Sequence, residues 1–169
     1  MKKSPISEHL FLYKGKLYPN YIKQGNACKF IEPFALQFCK GKGLDIGGYA
    51  KSILPGATPI NVRLREKWDA YTLPDKKYDY IFSSHTLEHL PDYIKALQYW
   101  TEHLKPRGVL FLYLPHPAME YWLPQNDRKH LHLFYPLAME KVLRDLGFEY
   151  VLWSDCDFYW SFVVVGIIR

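Results

Sequence analysis

The sequence predicts an α/β fold in which a mostly parallel sheet ends in an antiparallel hairpin. The segment from Val109 to Leu114 is almost entirely apolar, as expected of a strand that is buried on both faces of a sheet. A helical pattern precedes it, beginning at Pro91-Asp92 and ending at Pro106-Arg107-Gly108. Near the C-terminus, two apolar runs are joined only by Ser154 to Ser161. That link is too short for a helical crossover and favours antiparallel pairing.

The first half of the chain predicts a helix followed by three strands. Residues 1–26 show no sustained period and predict an irregular or partly helical lead-in. From Ala27 to Lys40 the apolar positions fall on one helical face. Strands are then predicted at Gly43 to Ile46, Thr58 to Val62 and Tyr78 to Ser83.

The first connection, Gly47 to Ala57, is shorter than usual, since parallel strands normally need a dozen or more residues to return. Tyr49 to Leu54 can supply only about a turn and a half of helix, and Arg63 to Lys77 has little helical period. The early crossover helices are therefore predicted to be shortened. A later helix begins at Pro136 and ends at Gly147, before strands at Phe148 to Trp153 and Phe162 to Ile168.

Composition is that of one folded domain, with 27–169 as its core. The chain has 169 residues, of which 49% are hydrophobic, and this excludes a disordered tail protein. It has no apolar run of about 20 residues, so we expect a soluble, cytoplasmic protein without a membrane span. The net charge of +5 is spread along the chain; it is compatible with an ordinary solvated surface and with attraction to an anionic substrate.

Three segments carry a resemblance to a known family. They are Gly43-Leu44-Asp45-Ile46-Gly47-Gly48, then Ser83-Ser84-His85-Thr86-Leu87-Glu88-His89-Leu90, then Leu104-Lys105-Pro106-Arg107-Gly108. In this order they resemble the class I S-adenosylmethionine-dependent methyltransferases, in particular the small group with an HxLEH element after a strand. The resemblance covers Lys42 to Arg169 and implies a Rossmann-like fold with helices on both faces, S-adenosyl-L-methionine as cofactor and methyl transfer as activity.

The resemblance also implies where the cofactor is held. Asp45 would bond the amino end of its methionine moiety, and Gly47 and Gly48 would let the backbone approach it. The glycine motif is shortened here, because Tyr49 stands where the family has its second glycine. The backbone carbonyl at Ser83-Ser84 would meet the methionine amine.

The nucleoside end of the predicted site departs from the family pattern. The family has an acidic residue for the ribose hydroxyls after its second strand, whereas this chain has Arg63, with Asn61 and Glu66 as substitutes nearby. Asp69 and Ala70 resemble the element that contacts the adenine edge. An NAD(P)-dependent oxidoreductase is disfavoured, because no G-x-G-x-x-G motif follows the first core strand.

Four histidines are candidates for a general base, since a neutral imidazole suits proton removal from a hydroxyl acceptor. They are His85, His116, His130 and His132, with His116 and His130 ranked ahead of His85, which could instead position the cofactor. Tyr113, Tyr121 and Trp122 are predicted to wall the acceptor. Glu88 and His89 are interpreted as structural, the glutamate capping backbone donors. No metal site is predicted, because no second paired cluster accompanies His130 and His132.

The function predicted from these residues is O-methylation of a small-molecule or glycan hydroxyl, assisted by a histidine base. A nucleotide or nucleic acid acceptor is the alternative within the enzyme class; the charge favours it and the lack of a basic stripe disfavours it. A catalytically silent binding module with the same fold is the alternative outside it. The brevity of the chain also leaves open that it is a domain or partner of a larger biosynthetic enzyme.

Overall fold

The computed structural model describes residues 10–24, 27–49, 51–61 and 68–169. Its strands are β1 (Leu10–Tyr13), β2 (Lys16–Pro19), β3 (Gly43–Ile46), β4 (Ala57–Ile60), β5 (Tyr78–Ser84), β6 (Leu104–Pro115), β7 (Phe148–Trp153) and β8 (Ser161–Ile168). Its α-helices are α1 (Tyr21–Gln24), α2 (Cys28–Phe38), α3 (Tyr93–Glu102) and α4 (Pro136–Asp145). Short 3₁₀ helices cover Leu87–His89 and Glu120–Trp122.

Six of the strands form the central sheet in the order β4-β3-β5-β6-β8-β7. The pairs from β4 to β6 are parallel, and β8 is antiparallel to both β6 and β7. The predicted sheet with its C-terminal hairpin is therefore confirmed, and the last strand inserts beside β6. Chain order reverses next to β3, where open α/β sheets bind their ligands.

Helices cover both faces of this sheet, as predicted. On one face α2 packs its buried Ile31 and Ala35 with aromatic side chains of β5 and β6. On the other face α3 and α4 contribute Leu97, Met139 and Leu143 to a second core cluster. Gly147 follows α4 with a φ of +91°, a left-handed conformation that ends the helix near the predicted position.

The predicted end of α3 is wrong. Asp92 caps the helix by accepting the Lys95 N–H at 3.0 Å, but the helix stops at Glu102 and β6 already begins at Leu104. The Pro106-Arg107-Gly108 segment is an irregularity within the strand, with Arg107 at φ +61°. It shifts the pairing with β5 between Leu104 and Val109. The residues that predicted a helix stop therefore form an irregularity within a strand.

The helical stub predicted for Tyr49 to Leu54 is also wrong over the described residues. Residues 51–56 form bends and a turn, and β3 still pairs in parallel with β4. Leu54 is buried and joins the core on the α2 face. One inserted apolar side chain thus takes the place of a crossover helix. No helix is found among the described residues that is long and apolar enough to cross a membrane.

The N-terminal lead-in is more regular than predicted, since β1 and β2 form an antiparallel hairpin. Lys14 and Gly15 both have positive φ, +47° and +76°, as the tightest hairpin turn requires. Phe11 and Tyr18 are buried against Met119 and Trp122. The hairpin therefore fixes the N-terminal segment beside the loop that follows β6.

Candidate active site

A large cavity lies at the carboxyl ends of β3 and β5 and has a volume of about 1110 Å³. Its walls come from the ends of these strands, the 3₁₀ helix Leu87–His89, the N-terminal segment and residues 121–131. Ligand sites in open α/β sheets occupy this edge. Since drug-sized ligands fill pockets of about 300–1,000 Å³, the cavity has room for a cofactor together with a small acceptor.

The turn after β3 is built around Asp45. Its side chain is buried, and Oδ2 accepts a hydrogen bond from Ser52 Oγ at 2.6 Å. Burial raises the pKa of this carboxyl group, and the Ser52 hydrogen bond opposes the rise. A Cβ on Gly48 would lie 2.6 Å from Asp45 Cγ, so only glycine lets the backbone pass this close to the carboxylate.

Gly47 is required for a second reason. Its φ is +93°, and a Cβ there would lie 1.8 Å from Thr86 Oγ1, in the segment that follows β5. Gly47 also donates its N–H to the Ile60 carbonyl at 2.8 Å and accepts from Asn61 Nδ2 at 3.0 Å. The glycine turn is thereby bonded to the end of β4 and lies close against the segment that follows β5.

Gly47→Ala is expected to destabilise the protein by roughly 2–4 kcal/mol, because left-handed strain of about 1–2 kcal/mol adds to a clash with Thr86. Gly15→Ala is the matched control. Its φ is +76°, yet no atom lies within 4 Å of the added Cβ, so only the strain remains. Denaturant unfolding of both variants measures the difference; equal losses would show that the Thr86 contact does not constrain the turn.

Only some of the other predicted cofactor residues line the cavity. Asn61, Ala70 and Ser84 line it, and the Ser84 hydroxyl is buried with no hydrogen-bond partner among the described residues. Ser83 does not line it; its buried hydroxyl donates to the Ile46 carbonyl at 3.0 Å. Asp69 also lies outside the lining, where Oδ1 accepts the Tyr71 N–H at 2.8 Å. Arg63 and Glu66 lie outside the described residues.

A cluster of ionisable side chains forms another part of the lining. Glu88 is fully buried, and His85 Nδ1, His89 Nε2 and His130 Nε2 lie 3.7, 3.8 and 4.0 Å from its Oε1. Neither Glu88 oxygen has a hydrogen-bond partner of good geometry among the described residues, although the Glu88 backbone N–H acts to lower the pKa of the carboxyl group, so the predicted capping of neighbouring backbone donors is not seen there. Its proximity to His130 could not be read from the sequence, because the 3₁₀ helix and a distant loop meet only in the fold.

Burial dominates the electrostatics of this cluster. It raises the pKa of Glu88, and it lowers the pKa of His85 and of His130, with neighbouring imidazoles adding to the lowering. His85 also has a φ of +47°, a left-handed conformation that costs energy for any residue other than glycine. Such strain persists only where surrounding contacts hold it, and Trp122 packs edge-on against the His85 ring at 4.8 Å.

The remaining candidates for the general base and for the acceptor wall differ in whether they line the cavity. His116 does not line the cavity; its Nε2 lies 3.6 Å from Asp155 Oδ1. His132 donates from Nε2 to the Leu90 carbonyl at 2.7 Å and packs on Tyr93, outside the lining. Tyr113 is fully buried and donates to Asp157 Oδ2 at 2.6 Å; burial, with Asp157, raises its pKa. Tyr121 and Trp122 do line the cavity.

Residues of the N-terminal segment also belong to the lining, which the sequence reasoning missed. Tyr21, Ile22 and Lys23 reach the cavity, and the Ile22 carbonyl accepts from Trp122 Nε1 at 3.1 Å. The signal that could have found them is the aromatic density of residues 10–22, which pairs with the aromatic loop after β6.

A model of the methyltransferase domain matches residues 23–152, which is most of the chain. The chain belongs to this methyltransferase-domain family. A search of curated proteins found no match to this chain. Family membership implies S-adenosylmethionine as the cofactor.

Solved structures share the fold of this family member at low sequence identity. A S-adenosylmethionine-dependent methyltransferase of Thermotoga maritima is 17% identical with a TM-score of 0.67, over 89% of this chain and 95% of that one. A S-adenosylmethionine-dependent methyltransferase of Archaeoglobus fulgidus is 17% identical with a TM-score of 0.61, over 88% and 94%. A Haloferax volcanii protein in complex with the Trm112 methyltransferase activator is 14% identical with a TM-score of 0.64, over 89% and 95%.

The residues present fit that cofactor. Asp45 offers a carboxylate to an amine, the Ser84 hydroxyl is buried and unpartnered, and Gly48 leaves the backbone open beside Asp45. All three line the same cavity.

Proposed function

We propose that this chain transfers a methyl group from S-adenosylmethionine to a hydroxyl of a small-molecule or glycan acceptor held in the cavity. The observation that carries the proposal is that the predicted cofactor residues and the ionisable cluster line one cavity. The Asp45–Gly48 turn forms one wall of the roughly 1110 Å³ cavity, and the cluster of His85, Glu88 and His130 forms another. A cofactor and an acceptor bound against these two walls would meet between them.

The chain's contribution is alignment and proton removal. The bound cofactor supplies a methyl group on positively charged sulfur. Methyl transfer forms an oxygen–carbon bond, breaks the carbon–sulfur bond with its electron pair going to sulfur, and releases the hydroxyl proton. Asp45, Gly48 and Ser84 orient the cofactor, which accounts for much of the rate in a reaction between aligned groups.

We assign the general base to His85 on its hydrogen-bond pattern. In the tautomer that we propose, His85 donates from Nε2 to Ser161 Oγ at 2.9 Å, and the Ser161 hydroxyl donates on to the Tyr159 carbonyl at 3.2 Å. His85 Nδ1 therefore carries the lone pair, and its side chain lines the cavity. His130 is the second candidate, whereas His116 and His132 lie outside the lining.

Two features of the rim bear on the acceptor. Tyr121 and Trp122 offer aromatic surface, which suits the apolar face of a sugar. Exposed Lys23, Lys51 and Arg128 also line the cavity and favour an anionic acceptor such as a nucleotide-linked sugar or a nucleotide. These basic side chains therefore support the alternative of a nucleotide acceptor.

Two wider predictions remain proposals. The chain would act in the cytoplasm, and it would serve as a domain or partner of a larger biosynthetic enzyme. The second is supported only by analogy, since the Haloferax neighbour was solved with an activator bound.

The function is tested by methyl transfer from labelled S-adenosylmethionine to matched neutral glycans, sugar phosphates and nucleotides. For an anionic acceptor, Lys51→Gln with Arg128→Gln should raise KM several-fold and weaken its salt dependence, because two rim charges are lost. Lys141→Gln, an exposed α4 residue paired with Asp145, is the control. Transfer to none of the acceptor classes, with cofactor binding intact, would contradict the proposed acceptors.

A further inference from the structure

We propose that Glu88, His89 and His130 bind one divalent transition-metal ion in the wall of the cavity. One ligand atom from each of the three side chains lies within 4.8 Å of the others. Glu88 and His130 are buried, and all three residues line the cavity. An ion among them would therefore sit in a largely protein-enclosed site that opens toward the acceptor.

The hydrogen bond of His89 fixes which of its nitrogens is free. His89 Nδ1 lies 2.7 Å from the Lys129 carbonyl oxygen, which can only accept, so Nδ1 carries the proton. Nε2 is then an unprotonated lone pair, and it lies 3.8 Å from Glu88 Oε1. A carbonyl that holds the second nitrogen of a metal-binding imidazole is the usual outer-shell arrangement in metal sites.

Two of the imidazoles around Glu88 present lone pairs to it, and its own backbone N–H is a donor beside it. The His89 lone pair and the His85 Nδ1 lone pair both lie within 4 Å of Glu88 Oε1. Neither carboxylate oxygen has a hydrogen-bond partner among the described residues, and His130 Nδ1 is likewise buried and unpartnered. Buried polar atoms are nearly always paired, so these facing acceptors call for a proton or a metal ion between them, and we infer the metal ion because two imidazoles and a carboxylate converge there.

The chemistry of the ligands selects the class of ion. Two imidazoles and one carboxylate suit Zn²⁺, Fe²⁺, Co²⁺ or Ni²⁺, whereas Mg²⁺ and Ca²⁺ prefer oxygen ligands. Tetrahedral Zn²⁺ with bonds of about 2.0–2.1 Å places its ligand atoms about 3.4 Å apart. The His89 and His130 nitrogens, at 3.8 and 4.0 Å from Glu88 Oε1, need to approach that oxygen by about half an ångström, and all three ligand atoms lie within 4.8 Å of one another.

Three protein ligands leave at least one position open toward the cavity, as in catalytic metal sites. There the ion would lower the pKa of a bound acceptor hydroxyl, and His85 would remain beside it to receive the proton. This catalytic role rests on the proposed function. Binding of the ion does not, because all three ligands belong to the chain itself.

Calorimetric titration of the EDTA-treated, dialysed protein with Zn²⁺, without cofactor or acceptor, tests the site. The expected result is one strong equivalent in the wild type. Glu88→Gln and His130→Ala should each weaken binding by about 100-fold or more, since loss even of an outer-shell partner costs 10–100-fold. His103→Ala, at the end of α3 and outside the cavity, is the matched control and should bind like the wild type.

Thermal unfolding separates a ligand from a structural residue. Glu88→Gln should raise the melting temperature of the metal-free protein, because it removes an unpaired buried carboxylate and supplies amide donors to the facing lone pairs. It should also abolish the upward shift that Zn²⁺ gives the wild type. If His130→Ala does not fold, this Glu88→Gln pair of measurements decides.

No strong Zn²⁺ equivalent in the wild type, or equal binding in Glu88→Gln, would overturn the proposal and leave a protonated Glu88 as the occupant of the cluster. A separate titration with S-adenosylmethionine keeps the outcomes apart. Zn²⁺ binding without cofactor binding would refute the proposed function and leave the metal site standing.

Discussion

Replacing His85 with alanine is expected to lower the turnover of methyl transfer by about 10²–10⁴-fold while leaving the affinity for S-adenosylmethionine intact. The reason is that the His85 Nδ1 lone pair lies beside Glu88 at the cavity wall, oriented by the Nε2 hydrogen bond to Ser161. Steady-state kinetics on a validated acceptor, with calorimetric cofactor titration of the same sample, measures both quantities.

Two variants control this experiment. His103→Ala removes a histidine outside the cavity and should keep wild-type turnover. His116→Ala tests the ranking drawn from the sequence, since that imidazole lies near Asp155 and does not line the cavity. Loss of turnover in His116→Ala with retention in His85→Ala would show that the base is not at the Glu88 cluster.

Asp45→Ala is expected to weaken S-adenosylmethionine binding by about 1–3 kcal/mol, which is roughly 5–150-fold in Kd. Asp45 is buried at the end of β3, with Ser52 holding one carboxylate oxygen at 2.6 Å. A cofactor amine left without its charged partner loses a hydrogen bond of this strength. Calorimetry on wild type and variant measures the difference.

Asp79→Ala is the matched control, because Asp79 lies at the opposite end of the sheet and pairs with Lys105 at 2.7 Å. Its loss should leave cofactor affinity unchanged even if stability falls. Wild-type affinity in Asp45→Ala would remove Asp45 from the cofactor site and with it the main support for the β3 edge.

The sheet could be predicted largely because its strands have local signatures. Gly43 to Ile46 was predicted with its observed bounds, and the short link before β8 indicated the antiparallel hairpin. The end of α3 and the first crossover were predicted wrongly, because local structure departs there from the usual pattern. Pro106-Arg107-Gly108 has the composition of a helix stop but forms an irregular strand, and Leu54 replaces a crossover helix by packing directly on the core.

The candidate site was predicted only where its residues are neighbours in sequence. The glycine turn after Asp45 and the aromatic pair Tyr121-Trp122 do line the cavity. The convergence of Glu88 with His130 depends on residues 121–131 folding back over β5, which no local pattern encodes. The prediction at Arg63 lies outside the described residues.

The central claim, that the cavity at the ends of β3 and β5 binds S-adenosylmethionine for catalysis, is tested most directly by calorimetric titration of the wild-type protein with that cofactor. We predict a single site per chain, with a Kd that rises in Asp45→Ala and is unchanged in Asp79→Ala. Absence of binding at millimolar cofactor would contradict the claim and favour a catalytically silent module with a methyltransferase fold.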